Sequence, residues 1–198
     1  KLTDSNSTVQ VAAPSGSAAY NVKGCTLHSL LVINVQTPFA KLLDANKEAL
    51  IGKLKDLLVL MVDEVSMLSS QVAYGAEDHV RECVYNGHNN MQSWGGVPVV
   101  LFFGDYCQLP PTDKSGAIHG FDKYYDQFNK NKLQPTNKSK NSQITEREGC
   151  RILVQTMTEN VFTLSKNFRT KDKDDRELLE RMRTGDQTIE DAERLINL

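Results

Sequence analysis

Two apolar runs that each lead into acidic residues constrain the fold of this chain most strongly. Residues 57–62 are six consecutive apolar residues, and Asp63 and Glu64 follow directly. Residues 98–103 form a second apolar run, which leads into Gly104 and Asp105. Uninterrupted apolar runs of this length are typical of strands in a parallel sheet that is covered on both faces. Because such sheets bind ligands at the carboxyl ends of their strands, we expect an α/β fold with its site there.

The composition is that of a globular protein with little charge bias. The chain has 198 residues, of which 39% are apolar and 24% charged, with a net charge of −2. Nucleic-acid binding would therefore depend on a local groove. No apolar run approaches the roughly 18 residues of a membrane span, so we expect no membrane partner. The four separated cysteines indicate an intracellular, reducing location, which would be the nucleus or mitochondrion of a eukaryote and otherwise the cytoplasm.

The rest of the pattern predicts short elements separated by polar loops. We interpret residues 129–148, rich in Asn, Lys and Gln, as a mobile insertion. His79, Cys83 and His88 lack the paired close spacing of zinc ligands, so we interpret them as unrelated positions. The expected elements are strands at 9–13 and 161–164, a helix that starts at Ser17 and is ended by Gly24, a short element at 26–31, helices at 46–55, 70–83, 174–183 and 188–198, and a loop at 86–96.

The acidic strand end suggests phosphate chemistry. An apolar strand followed by Asp-Glu is the Walker B arrangement of P-loop ATPases, in which Asp63 would hold Mg²⁺ and Glu64 would activate the attacking water. The amide of Gln108, just past the second strand, could bond both a γ-phosphate oxygen and that water. The alternatives are a solvated strand end for the acidic pair and an ordinary turn for Gln108.

Four segments stand out in order along the chain: VxVAAPSGSAAYNVxGxTLHSLL (9–31), MVDEVSM (61–67), GDYCQLPP (104–111) and LSKNFRT (164–170). They resemble motifs Ia, II, III and IV of the Pif-type DNA helicases, in the 5′-to-3′ branch of superfamily one that also contains RecD-like proteins. The tail 175–198 resembles the helix pair that follows motif IV. The resemblance covers most of the chain except 129–148, and it implies a RecA-like P-loop NTPase motor domain with a parallel sheet.

The resemblance implies a role for each matching residue on the ATP side. Asp63 would be the Mg²⁺ carboxylate and Glu64 the catalytic base. Gln108 would sense the γ-phosphate. Arg169 resembles the motif IV arginine that reaches the γ-phosphate, as suits a guanidinium; its alternative is an exposed basic residue.

Motif Ia implies the contact with single-stranded DNA. A turn at Pro14, Ser15 and Gly16 before a helix offers backbone N–H groups and a hydroxyl to a phosphate. Thr26 and His28 would contact backbone or base in the same groove, although His28 is alternatively a structural histidine. Contacts of this kind predict strong salt dependence and little base preference.

The chain departs from the family in lacking the Walker A pattern GxxxxGK[ST]. We expect that loop upstream of residue 1, and motifs V and VI after residue 198. The expected organisation is an N-terminally truncated first RecA-like domain at 1–160 and the start of a second at 161–198. The fragment, expected to be monomeric, would not hydrolyse ATP by itself. Ser15 stands where Thr is more usual in the family and keeps the hydroxyl.

The function expected from the resemblance is that of an ATP-dependent DNA helicase. The full-length protein would couple ATP hydrolysis to 5′-to-3′ translocation on single-stranded DNA and unwind forked DNA in repair, recombination or telomere maintenance. One alternative is a noncatalytic, single-stranded nucleic-acid-binding relic of a mobile-element helicase, which the intact Asp63, Glu64, Gln108 and Arg169 disfavour. Another is a protein-remodelling P-loop ATPase, which motifs Ia and III disfavour.

Overall fold

The computed structural model describes residues 8–84, 92–112, 116, 140–158 and 160–196. The chain divides into two units, residues 1–159 and 160–198. The strands are β1 (Val9–Ala13), β2 (Cys25–Thr26), β3 (Val59–Val62) and β4 (Val99–Phe102). The helices are α1 (Gly16–Asn21), α2 (Leu27–Leu31), α3 (Asp44–Leu54), α4 (Ser70–Cys83), α5 (Lys140–Thr158), α6 (Lys173–Thr184) and α7 (Ile189–Ile196). That residues 160–198 begin a second RecA-like domain stays a prediction.

A parallel four-stranded sheet organises the first unit. Its strand order is β2-β1-β3-β4, and each neighbouring pair is parallel. The register aligns Ala12, Val62 and Phe102 in one row across three strands. Ala13 pairs with Thr26, so β2 ends beside β1. The α/β fold with a parallel sheet is therefore confirmed, and all four carboxyl ends lie along one edge.

The core lies on one face of this sheet. Ala12, Leu60 and Val62 are fully buried against residues of α2, α3, α4 and α5. On the opposite face Val99 and Leu101 remain 41% and 38% exposed among the described residues. The expectation that both faces are covered is wrong for the second apolar run. The physical reason is that, among the described residues, the short α1 is the only helix on that side, where it packs in the small alanine cluster of β1 and α1.

Helix α4 matches the prediction for residues 70–83, and its origin is local. The hydroxyl of Ser69 accepts a hydrogen bond from the Val72 N–H at 3.3 Å, which caps the helix. Buried residues then recur at helical spacing: Val72, Ala73, Ala76, Val80 and Cys83. This amphipathic face is the central helical contribution to the core.

His79 has a structural role on α4. Its ring is 2% exposed, with Nδ1 2.8 Å from the Leu31 carbonyl oxygen and Nε2 3.2 Å from that of Ala40. The ring therefore links α4 to the end of α2 and to the connection that follows it, with the N–H of one ring nitrogen donating to one of the two carbonyls. No cluster of metal-ligating side chains occurs among the described residues.

Helix α5 corrects the predicted insertion. Residues 140–148, assigned to a mobile segment, form the first half of α5, while 129–139 lie outside the described residues. The polar composition of this segment does not reveal that one face of the helix is buried. Glu146 is 3% exposed, and Gly149 lies so close to α4 that a Cβ there would overlap the Ser70 carbonyl oxygen. A helix can bury a polar residue that tertiary contacts accommodate, and composition does not reveal this.

Three smaller expectations need correction. Gly24 was expected to end α1, but the residue that takes the left-handed conformation after this helix is Lys23. A glycine is needed at position 24 for a different reason, because a Cβ there would overlap the Val11 carbonyl oxygen. Residues 93–96 of the predicted loop form a 3₁₀ turn, and 86–91 lie outside the described residues. Residues 161–164 are exposed and form no strand, because they pair with no strand in the described part of the chain.

The second unit contains the predicted helix pair. Asp172 caps α6, and Gly185 ends it in a left-handed conformation. The Arg181 guanidinium donates two hydrogen bonds, of 2.8 and 2.6 Å, to the Asp191 carboxylate. This pair holds the pKa of Asp191 far below its ordinary value. Over the described residues, no helix is long and apolar enough to cross a membrane.

The contact between α4 and α5 yields a stability prediction. Gly149→Ala should lower the free energy of unfolding by about 1–3 kcal/mol, because the new methyl group forces the two helices apart. The matched control is Gly52→Ala on α3, where a Cβ meets no atom within 4 Å. That change should stabilise the protein by roughly 0.5–1 kcal/mol through helix propensity. Urea denaturation measures the free energy of unfolding of both variants. Equal effects of the two substitutions would contradict the close contact between α4 and α5 at Gly149.

Candidate functional site

Asp63 and Glu64 follow β3 and lie between the ends of β1 and β4, the two strands that flank it in the sheet. The Asp63 N–H donates a hydrogen bond of 2.9 Å to the Ala12 carbonyl at the end of β1. The Val65 N–H donates a bond of the same length to the Phe103 carbonyl just after β4. The sheet therefore fixes the backbone on both sides of Asp63 and Glu64.

Glu64 adopts an unusual backbone conformation. Its φ and ψ angles are 53° and 45°, in the left-handed region, and it starts the 3₁₀ turn Val65–Met67. For a non-glycine residue this conformation costs about 1–2 kcal/mol, and such strain is concentrated at functional sites. The turn carries the chain out of the sheet directly after Asp63.

The carboxylates of Asp63 and Glu64 are available for a ligand. Both residues are half-buried, and neither carboxylate has a hydrogen-bond or ion-pair partner among the described residues. Mg²⁺ favours one or two carboxylates supplemented by phosphate oxygens and water. Two unpartnered carboxylates at a fixed strand end fit a Mg²⁺ ion that arrives with a nucleotide.

The loop after β4 presents Gln108 at the same edge. Asp105 organises this loop: its Oδ1 accepts from the Cys107 N–H at 3.0 Å, and its carbonyl accepts from the Gln108 N–H at 2.9 Å. The Gln108 Nε2 donates to Asp105 Oδ2 at 3.5 Å. Gly104 brings the loop against the acidic turn, because a Cβ there would lie 2.9 Å from the Val65 nitrogen. The two loops are thus in direct contact.

The predicted DNA-contact residues lie at the ends of β1 and β2, on this same edge. Ser15 Oγ accepts the Ala18 N–H at 3.3 Å and caps α1, and Thr26 Oγ1 accepts the Ser29 N–H at 3.2 Å and caps α2. Pro14 and Gly16 flank Ser15 on the turn. Each capping hydroxyl keeps a proton that it can donate to a phosphate. Their roles in binding DNA stay predictions.

His28 is half-buried in the first turn of α2. Burial lowers the pKa of its imidazole below the ordinary value of 6.5. The environment of His28 therefore favours the neutral imidazole, and its contact with DNA stays a prediction.

Arg169 belongs to the second unit, and its role at the γ-phosphate stays a prediction. It is exposed, and its backbone N–H donates to Asn167 Oδ1 at 2.9 Å. Sequence reasoning placed Asp105 at the acidic end of the second apolar run but gave it no role in organising the loop. It missed Tyr106, which makes a side-chain bond to Thr156 across 50 residues of sequence, and no signal in the sequence indicates that bond.

Asp63 and Glu64 follow β3 of a parallel sheet, and the turn that they begin contacts the loop after β4 that carries Gln108. This arrangement is that of a RecA-like motor domain. A family model described as PIF1-like helicase matches residues 1–124. The chain belongs to this family.

Individual relatives agree with the family. The chain is 32% identical over 116 residues to the ATP-dependent DNA helicase PIF1 of Candida albicans, covering 57% of this chain and 12% of that protein. It is 32% identical over 123 residues to Pif1 of Campylobacter jejuni, covering 58% of this chain and 25% of that protein. The crystal structure of Bacteroides Pif1 bound to ssDNA superimposes with a TM-score of 0.65 and 27% identity, covering 96% of this chain and 40% of that one. The chain therefore spans well under half the length of these relatives.

The lowered pKa of His28 predicts a pH dependence of stability. The unfolded chain takes up a proton near pH 6.5 while folded His28 resists it, so His28 should destabilise the protein as the pH falls below about 6.5. His28→Gln cannot titrate and should reduce the loss of stability between about pH 7.5 and 5.5. Urea midpoints of both proteins at the two pH values measure this. An identical loss in the wild type and the variant would contradict the burial of His28.

Proposed function

We propose that the full-length protein is an ATP-dependent DNA helicase and that the carboxyl edge of this sheet carries both of its ligands. ATP with Mg²⁺ would bind at the ends of β3 and β4, and single-stranded DNA at the ends of β1 and β2. The observation that carries the proposal is the hydrogen bond from the Asp63 N–H to the Ala12 carbonyl, because it joins the two halves of the edge. The names of the relatives and the ssDNA-bound neighbour support it.

In the proposed function each of these side chains takes part in one step of ATP hydrolysis. Asp63 would hold Mg²⁺, which offsets the negative charge of the β- and γ-phosphates. Glu64, held by its turn next to Asp63, would orient the attacking water and accept its proton. Gln108 would bond to the γ-phosphate oxygen and lose that bond after hydrolysis. Arg169 would supply positive charge to the transition state from the second unit.

A change at the γ-phosphate could reach DNA through the shared edge. The Gln108 loop touches the acidic turn through Gly104 and Val65, and the acidic turn is bonded to the end of β1. The β1 end continues into the Pro14–Gly16 turn. Movement of the loop therefore has a short covalent and hydrogen-bonded route to the proposed DNA contact.

The finer functional assignments rest on the resemblance of the four motifs. We propose 5′-to-3′ translocation on single-stranded DNA, unwinding of forked DNA, action as a monomer, and a role in repair, recombination or telomere maintenance. The corresponding location is the nucleus or mitochondrion of a eukaryote, or otherwise the cytoplasm. A similar solved structure, which concerns DNA unwinding at forked dsDNA by two coordinating Pif1 helicases, supports the forked substrate.

The decisive substitution is Glu64→Gln in the full-length protein. It should abolish unwinding and lower ATP hydrolysis by about 10²–10⁴-fold, because a positioned general base contributes that factor. ATP binding should persist, since the amide keeps the size of the carboxylate. Glu48→Gln, an exposed residue of α3, is the matched control and should hydrolyse ATP like the wild type. Hydrolysis with and without single-stranded DNA, and fluorescent-nucleotide binding, are the measurements.

The same measurements separate the alternative functions. Unwinding retained by Glu64→Gln would refute its role as the base. A wild-type protein that binds single-stranded DNA but hydrolyses no ATP would favour the noncatalytic relic. ATP hydrolysis without stimulation by single-stranded DNA would favour a protein-remodelling ATPase.

A further inference from the structure

One side chain of the Gln108 loop is anchored away from the edge of the sheet. Tyr106 is half-buried against the hydrophobic core, and its hydroxyl oxygen lies 2.6 Å from Thr156 Oγ1 on α5. The neighbouring residues Cys107 and Gln108 are exposed. Tyr106 therefore fastens this loop to α5, in addition to the contact of Gly104 with the acidic turn.

The direction of this hydrogen bond follows from the next contact. The Thr156 hydroxyl donates its single proton to the Leu153 carbonyl at 2.6 Å. Thr156 Oγ1 can then act only as an acceptor towards Tyr106. The result is a chain from the Tyr106 O–H to Thr156 to the α5 backbone, in which each bond strengthens the other. Burial raises the pKa of the Tyr106 hydroxyl, which keeps this donor protonated at neutral and mildly alkaline pH.

The position of Thr156 gives the contact a wider significance. Thr156 lies in the last turn of α5, which ends at Thr158. The chain enters the second unit at Asn160, nine residues before Arg169. The Tyr106 hydroxyl thus ties the loop that carries Gln108 to the helix end from which the chain leads on to Arg169.

We propose that Tyr106 is a positioning residue that couples the Gln108 loop to the last turn of α5. Through this bond, a movement of Gln108 between the ATP-bound and ADP-bound states would shift the start of the connection to residues 160–198. The inference rests on the proposed function for its consequence in ATP hydrolysis, although the physical coupling does not depend on it. Tyr106 acts through Gln108 and α5, since its own hydroxyl is occupied by Thr156.

Tyr106→Phe removes only the hydroxyl and keeps the buried ring, so it should fold. In the full-length protein we expect kcat of ssDNA-stimulated ATP hydrolysis to fall about tenfold, equivalent to roughly 1.4 kcal/mol. The KM for ATP should stay within about twofold, because a positioning group of this kind acts after ATP is bound. Thr156→Val should have the same effect, Thr156→Ser should restore the wild-type kcat, and the double variant should be no worse than either single one.

Thr158→Val is the matched control. The Thr158 hydroxyl also donates to a carbonyl of α5, that of Val154 at 3.1 Å, and it is exposed, with no tyrosine partner among the described residues. This variant should keep the wild-type kcat. A wild-type kcat for Tyr106→Phe, additive losses in the double variant, or an equal loss in Thr158→Val would each overturn the proposal.

Hydrogen exchange of the full-length protein without nucleotide tests the coupling independently of catalysis. The backbone N–H of Gln108 donates to the Asp105 carbonyl. Tyr106→Phe should speed hydrogen exchange both at this amide and in the last turn of α5. Thr158→Val should leave the exchange rate of the Gln108 amide unchanged. Faster exchange at only one of the two places, or at neither, overturns the coupling even in an active helicase. A wild type that hydrolyses no ATP refutes the proposed function instead, and exchange still decides the coupling.

Discussion

The parallel register of the sheet is the constraint on which the rest of this structure depends. Ala12, Val62 and Phe102 lie in one row, so the chain leaves β1, β3 and β4 at the same edge. The segments that follow the four strands of the sheet therefore place their polar side chains along the same edge. A one-residue slip of β3 would move Asp63 out of line with its neighbours and turn Leu60 and Val62 out of the core. Burial of these apolar residues thus also fixes the position of the acidic pair.

The sequence predicted those elements whose stability has a local origin. Helix α4 was placed correctly because Ser69 caps it and its apolar residues recur at helical spacing. The end of β3 was located by an apolar run that stops at Asp63. Helix α5 was partly missed, since residues such as Glu146 are buried through tertiary contacts that composition does not show. The strand expected at 161–164 was wrong because a strand needs a partner, and none of the described strands pairs with it.

The candidate site was predictable in its residue types and less so in its internal contacts. Asp63, Glu64 and Gln108 could be chosen from their positions after apolar runs, and the structure places them on adjoining loops. The capping bonds of Ser15 and Thr26 were partly foreseeable, because a small polar residue before a helix commonly caps it. The left-handed backbone of Glu64 and the Tyr106–Thr156 bond could not be foreseen, since both depend on how distant segments pack.

The measurement that tests this account most directly is a crystal structure of the full-length protein with Mg²⁺, a non-hydrolysable ATP analogue and single-stranded DNA. The account predicts that Asp63 lies beside Mg²⁺ and that Gln108 is within hydrogen-bond distance of the γ-phosphate. It also predicts DNA phosphates beside the Pro14–Gly16 turn and Thr26, on the same edge of the sheet. A nucleotide or a DNA strand bound away from the carboxyl ends of β1–β4 would contradict it.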